Sequence, residues 1–186
     1  WLGTAEEVAA KAPTATPTPT PPQLPTETPV IEDDQYSEFS TKAEGWWFER
    51  KNDHSQSTAW GYDTKYKFEQ NNTFYVDKTV SDDDKVIYLT FDCGYENGYT
   101  DEILDTLKKH NAKAVFFVTQ TYIRDATDLV LRMKEEGHLV GNHTVTHPNL
   151  ANCTTEKVVK ELTDCANYMK EKTGYSMDPF MRPPEG

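Results

Sequence analysis

The stretch KVIYLTFDCG, Lys85–Gly94, decides how the rest of the chain is read. Val86 to Phe91 is a short apolar, β-branched and aromatic run, which suits a buried strand. It runs straight into Asp92, Cys93 and Gly94: an ionisable side chain, a thiol and a turn former. Asp92 is therefore expected at the C-terminal mouth of a strand, where α/β folds place their chemistry. A lone strand-end Asp is more often a helix cap or turn residue, so the weight falls on the residues downstream of it.

Beyond Gly94, strand and helix patterns alternate. Thr100 can cap a helix in which Ile103, Leu104 and Leu107 share one face, ending near His110-Asn111. Ala114 to Val118 (AVFFV) is a second buried strand. Asp125 or Thr127 opens a second helix, with Leu129, Val130 and Met133 inward and Gly137 as its stop. Leu139-Val140 is a brief third strand. Thr154 or Thr155 opens a long amphipathic helix with Val158, Leu162, Cys165 and Met169 on one face, ending at Gly174. Phe180-Met181 would be a fourth strand leading to Arg182. Such alternation predicts an α/β fold with parallel strands and right-handed crossovers.

Upstream the composition changes twice. Residues 1–35 are read as a disordered linker, dominated from Pro13 to Pro29 by Pro and Thr (PTATPTPTPPQLPTETP) with almost nothing apolar to bury. At ~3.1 Å per residue this spacer could hold a domain about 50 Å from an anchor. A stalk of this kind suits an exported, wall-facing protein. Residues 36–84 carry Trp46, Trp47, Phe48, Trp60, Tyr62, Tyr66, Phe68, Phe74 and Tyr75, too many rings for a free linker. They are expected as an irregular extension packed on the domain over 85–186, with a short strand near Thr73–Val76. Packing is the favoured role of these rings over sugar stacking.

The formal charge of −12 argues against nucleic acid or an anionic membrane surface as partner, since both need clustered Lys and Arg. No run approaches the roughly 18 apolar residues of a membrane span. Any membrane contact would come through an anchor preceding the stalk. Three cysteines, Cys93, Cys153 and Cys165, are an odd count in a chain far too long to be a disulfide scaffold, and they leave the redox compartment open.

After the third strand comes GNHTVTHP, Gly141–Pro148. Histidines four residues apart lie on one face of a helical turn, close enough for both imidazoles to reach one metal ion. Pro148 stops any long helix, which places the pair on a strand-end loop on the same side as Asp92. An i, i+4 pair alone is weak evidence.

TFDCGYENGYT (Thr90–Thr100), HTVTHP (His143–Pro148) and RPPEG (Arg182–Gly186) together resemble the first three motifs of the polysaccharide deacetylases, the NodB-homology enzymes of carbohydrate esterase family 4. EEGHLVGNH (Glu135–His143) strengthens the match. GYENGYT is most similar to the muramic-acid deacetylase branch, whose members prepare spore-cortex peptidoglycan for δ-lactam formation. The resemblance covers about Lys85 to Gly186. It implies the N-terminal part of a distorted (β/α) barrel and metal-assisted hydrolysis of an N-acetyl group on peptidoglycan, outside the cell or at its surface. It also implies roles: Asp92 as general base, His143 and His147 as ligands of a divalent metal, zinc first with Co, Mn or Cd as substitutes. Arg182 would pair with Asp92, and the backbone N–H near Glu185 would help to hold the oxyanion.

Three departures from the family pattern stand out. Cys93 occupies the place of a second Asp that serves as third ligand; it is either a thiolate ligand or a bystander. Glu185 stands where an aromatic or basic residue is usual, which bears on which glycan or peptide substituent is accepted. The chain opens at Trp1 and stops at Gly186, directly after the third motif. The later motifs, including a Leu-x-His that supplies the general acid, have no counterpart in it. His54, His110 and His138 are not plausible replacements. The expectation is a piece of a longer enzyme, inactive alone; the alternatives are N-acetylglucosamine as the sugar, or a non-catalytic glycan-binding relative.

Overall fold

The computed structural model describes residues 42, 45, 47–53, 55–81 and 83–185. The expected stalk over 1–35 lies outside these, as do Trp46, His54 and Gly186. Among the described residues no helix is long and apolar enough to cross a membrane.

Three strands, β1 (Leu89–Cys93), β2 (Ala114–Val118) and β3 (Leu139–Asn142), form one parallel sheet in the order β1-β2-β3. β2 matches the expected bounds; β3 is longer by Gly141 and Asn142. β1 starts later than the apolar run suggested, because Val86, Ile87 and Tyr88 stay exposed outside the ladder. Tyr88 instead donates its hydroxyl to the Asp77 carboxylate. The register sets Phe91 beside Phe116 and Val140, and Asp92 beside Phe117 and Gly141. Since side chains alternate along a strand, these two rows face opposite sides of the sheet.

Among the described residues the α-helices are α1 (Tyr62–Lys65), α2 (Thr100–Lys109), α3 (Gln120–Asp125), α4 (Thr127–Glu135) and α5 (Thr155–Thr173). Helices α2 to α5 cover the Phe91 side. Leu104 and Leu107 from α2, Tyr122 and Ile123 from α3, Val130 and Met133 from α4, and Cys165 and Met169 from α5 bury against Phe116, Val118 and Val140. Phe91 and Phe116 stack with ring centroids 4.9 Å apart. The short α3 has no clear signal in the sequence. Thr119 nucleates it by accepting a bond from the Tyr122 amide, and the helix restarts at Thr127. Thr154 caps α5 through the Lys157 amide, and Gly174 ends it at φ 75°, a left-handed value that glycine adopts without a Cβ clash. Thr100, expected as a cap, is already helical and donates its hydroxyl to Glu96.

The expected fourth strand at Phe180–Met181 shrinks to a single parallel bridge, Met181 with Asn142. Asp178 aligns this segment with β3: its carboxylate accepts from the Val140 amide at 2.6 Å and from Lys134 at 2.7 Å. The Asn142 amide then donates to Phe180 O (2.8 Å) and the Arg182 amide to Asn142 O (3.0 Å). The extension differs from expectation in that Thr73–Val76 is not a strand. The rings of Tyr62, Tyr66, Phe68 and Tyr75 contact one another in series.

Candidate active site

On β1 the exposed positions are Thr90 and Asp92, while Leu89, Phe91 and Cys93 turn toward the core. Asp92 is met by a residue from the far edge of the sheet. Arg182 donates from Nη1 to Asp92 Oδ1 at 2.8 Å and from Nη2 to Thr90 Oγ1 at 3.0 Å. To get there its side chain crosses β2, and the guanidinium carbon lies 4.5 Å from the centre of the Phe117 ring. That ring is in turn seated over Gly141. A Cβ at 141 would fall 2.8 Å from two of its carbons and 2.9 Å from Phe180 O.

The histidine pair does not lie on a helical turn. Residues 143–147 leave β3 as a tight non-helical turn in which Thr144 (φ 72°) and His147 (φ 56°) are left-handed. Each backbone N–H of this turn has a partner. His143 N donates to Val118 O (3.0 Å), and Thr144 N to Asn142 Oδ1 (2.9 Å). Val145 N and Thr146 N both donate to Glu161 Oε2, at 2.9 and 2.8 Å, and His147 N to Thr144 Oγ1 at 3.0 Å. The two imidazole centroids stand 4.9 Å apart with planes at 74°.

His143 and His147 could offer two nitrogen donors to a divalent metal. His143 Nδ1 lies 2.8 Å from the Arg182 carbonyl oxygen. A carbonyl only accepts, so Nδ1 carries the proton and Nε2 keeps a lone pair, the tautomer of a metal-bound imidazole. His143 is buried and His147 exposed, so the pair is open on one side. Cys93 is not placed beside it. Its side chain packs against the core, and burial, with the Asp92 and Glu96 charges added, pushes the thiol up to about 12. Among the described residues no group of three His, Cys, Asp or Glu side chains gathers around one point.

Glu185 has a left-handed backbone (φ 65°), and its carboxylate accepts from Asn149 Nδ2 at 2.8 Å, joining the Arg182–Glu185 turn to the loop after His147. His110 is exposed at the end of α2. His138 is buried edge-on to Phe116, with Nδ1 accepting from the Ala114 amide. Ala114 starts β2 and Leu139 starts β3, so His138 sits at the opposite end of the strands from Asp92 and His143. Two supporting residues, Phe117 and Glu161, lie outside every motif of the sequence, while Thr90 and Gly141 lie inside motifs that do not disclose their roles. Glu161 does leave a signal of another kind, since it falls in register with Cys165 and Met169 on the buried stripe of α5.

Comparison with known proteins places these features in a family. The polysaccharide deacetylase family model matches residues 79–186. An uncharacterized 30.6 kDa protein of Geobacillus stearothermophilus is 44% identical over 141 residues, covering 76% of this chain and 52% of that protein. The peptidoglycan-N-acetylmuramic acid deacetylase PdaA of Bacillus subtilis is 40% identical over 141 residues, with the same 76% and 52% coverage. The solved structure of Bacillus subtilis PdaA, a family 4 carbohydrate esterase, superposes with a TM-score of 0.71 at 38% identity, covering 78% of this chain and 61% of that one. The chain spans about half the length of the curated relatives it matches.

Proposed function

This chain belongs to the polysaccharide deacetylase family, and on that premise we propose that it serves metal-assisted removal of N-acetyl groups from peptidoglycan, at N-acetylmuramic acid residues. One observation carries the reading. Arg182 serves both halves of the site: its guanidinium holds the Asp92 carboxylate, and its carbonyl orients the His143 ring. The choice of sugar is supported by the likeness to the Bacillus subtilis muramic acid deacetylase in sequence and in structure. By the same likeness the substrate is a wall glycan, and the protein works outside the membrane.

In this reading His143 and His147 would hold a divalent cation, zinc in the first instance, which would supply Lewis acidity toward the acetamide carbonyl and a water. Asp92, on the open face of β1, accepts the proton of the water that attacks the carbonyl carbon. Arg182 keeps the carboxylate aimed, and Thr90 shares its fork. The Glu185 backbone N–H is assigned to the carbonyl oxygen as negative charge develops on it. Cleavage of the C–N bond yields acetate and a free amine on the sugar, the departing nitrogen taking up the proton that Asp92 received from the water. Cys93 is left out of the donor set, because it faces the core from the other side of β1. Residues 85–186 form the catalytic domain, with 36–84 as its extension.

The test is acetate release by the natural full-length protein on muramic acid-containing glycan strands and on chitin oligomers. Release from the first, abolished by a chelator and restored by zinc, is the expected result. Release from chitin oligomers alone would move the assignment to N-acetylglucosamine. Glycan binding with no release from either would leave a binding relative. Asp92→Asn should lower the rate by 10²–10⁴-fold, the usual contribution of a positioned base. It should leave metal content unchanged, whereas His143→Ala with His147→Ala should remove the metal.

A further inference from the structure

Glu161 is a buried acid, 4% exposed, on a helix face otherwise given to Cys165 and Met169. A carboxylate in such a place is unfavourable unless its oxygens are satisfied. Oε2 accepts the amides of Val145 and Thr146, Oε1 accepts the Thr146 hydroxyl at 2.7 Å, and Lys157 Nζ lies 3.3 Å from Oε1. Three of these four donors belong to the turn between His143 and His147, 15 and 16 residues away in sequence. That turn contains two left-handed non-glycine residues, Thr144 and His147. Such conformations are strained in residues other than glycine and persist only where their surroundings over-determine them.

We propose that Glu161 is a positioning residue for the histidine pair: its carboxylate clamps the Val145-Thr146 tip of the turn and so sets the spacing at which His143 and His147 bind a divalent cation. The clamp acts through the backbone alone. It fixes where the chain reverses between the two histidines, while the Arg182 carbonyl separately orients the His143 ring. Burial alone would raise the Glu161 pKa, but the bonds from Thr146, Lys157 and Val145 outweigh it and hold the carboxyl below its ordinary value. The acid therefore stays charged at the pH where imidazoles bind metal. This proposal rests on the reading of His143 and His147 as metal ligands.

The experiment is calorimetric titration of the full chain with Zn²⁺, comparing wild type with Glu161→Ala, Glu161→Gln and Glu161→Asp. Glu161→Ala is expected to weaken Zn²⁺ binding at least ~10-fold, the scale on which outer groups orient metal ligands. Glu161→Gln, whose carbonyl still accepts both amides while its NH₂ faces the Thr146 hydroxyl, should recover most of that loss. A role confined to helix stability would lower the unfolding temperature without separating Ala from Gln in Zn²⁺ affinity. A folded Glu161→Ala chain with wild-type affinity overturns the proposal. If that variant does not fold, Glu161→Asp decides, since it keeps the charge but withdraws the carboxylate by one carbon; wild-type affinity there overturns it equally. If the wild-type chain binds no Zn²⁺, the metal reading fails by itself. The clamp is then read from hydrogen exchange at the Val145 and Thr146 amides, where unchanged protection in the variants overturns it and lost protection sustains it.

Discussion

Arg182 and Asp92 stand 90 residues apart in sequence and 2.8 Å apart in space, joined across the full width of the sheet. The arginine starts beside β3, passes over the Phe117 ring on β2, and reaches β1. With strands ~4.8 Å apart, the span needs a side chain of nearly maximal length with a planar end.

Arg182→Lys should therefore be far from conservative. A lysine has no fork with which to hold Asp92 and Thr90 together, and it loses the flat contact with Phe117. Misplacing the base by about 1 Å is expected to slow acetate release by about 10²-fold. Both side chains of the pair are more than a third exposed, so the unfolding free energy should move by no more than ~1 kcal/mol. A wild-type rate in this variant would show that Asp92 is aimed by something else.

Gly141→Ala tests the floor under that arginine. The added methyl would sit 2.8 Å from Phe117 carbons, forcing the ring or the Phe180 backbone to move. Overpacking of this kind destabilises by ~1–3 kcal/mol. Thermal unfolding measures that loss, and the activity assay should fall with it, because the ring that moves is the one Arg182 rests on. An unchanged melting curve would mean that the sheet relaxes there more freely than its packing suggests.

Cys93→Ala separates the two readings of the thiol. Cys93 faces the core, and its raised pKa keeps it protonated at neutral pH. The variant should bind metal with wild-type affinity, and native Cys93 should resist alkylation at pH 8. A fall in metal affinity of about tenfold or more would make Cys93 a ligand.

Glu96 makes the acid limb of the stability curve testable. Burial opposes its ionisation, but bonds from Thr100, Tyr122 and the Gly98 amide overcome this and hold its carboxyl at about 2. A folded-state pKa below the unfolded value means that the charged form stabilises the fold. That contribution is complete above the ordinary glutamate value of 4.5 and is lost as pH falls toward about 2. Urea unfolding between those limits should be steeper in pH for wild type than for Glu96→Gln. Equal slopes would show that the Gly94–Thr100 loop does not depend on this charge.

Much of the molecule is legible in the residue order. The apolar runs at Val86–Phe91, of which only the part from Leu89 joins the sheet, and at Ala114–Val118, the amphipathic spacing of α5 and the stop at Gly174 are local patterns, and they mark parallel strands separated by helices. Asp92, His143, His147 and Arg182 are legible because chemistry-bearing residues at strand ends form motifs that can be recognised. Glu161 is half visible, as one acid in a buried stripe, but its partners in the turn after β3 are not.

What the sequence determined by itself is set by short-range physics: side-chain alternation along a strand, the 3.6-residue period of a helix, and turns that favour glycine or proline. Only the tertiary structure decided that Arg182 reaches Asp92 over Phe117, that Cys93 turns inward, and that the histidine turn is left-handed and clamped from α5. These depend on strand register and on hydrogen bonds between segments tens of residues apart. A one-residue shift in β1 would exchange Asp92 with Cys93 on the open face, and no local pattern prevents that. The packed sheet does, because Phe91 must stack on Phe116.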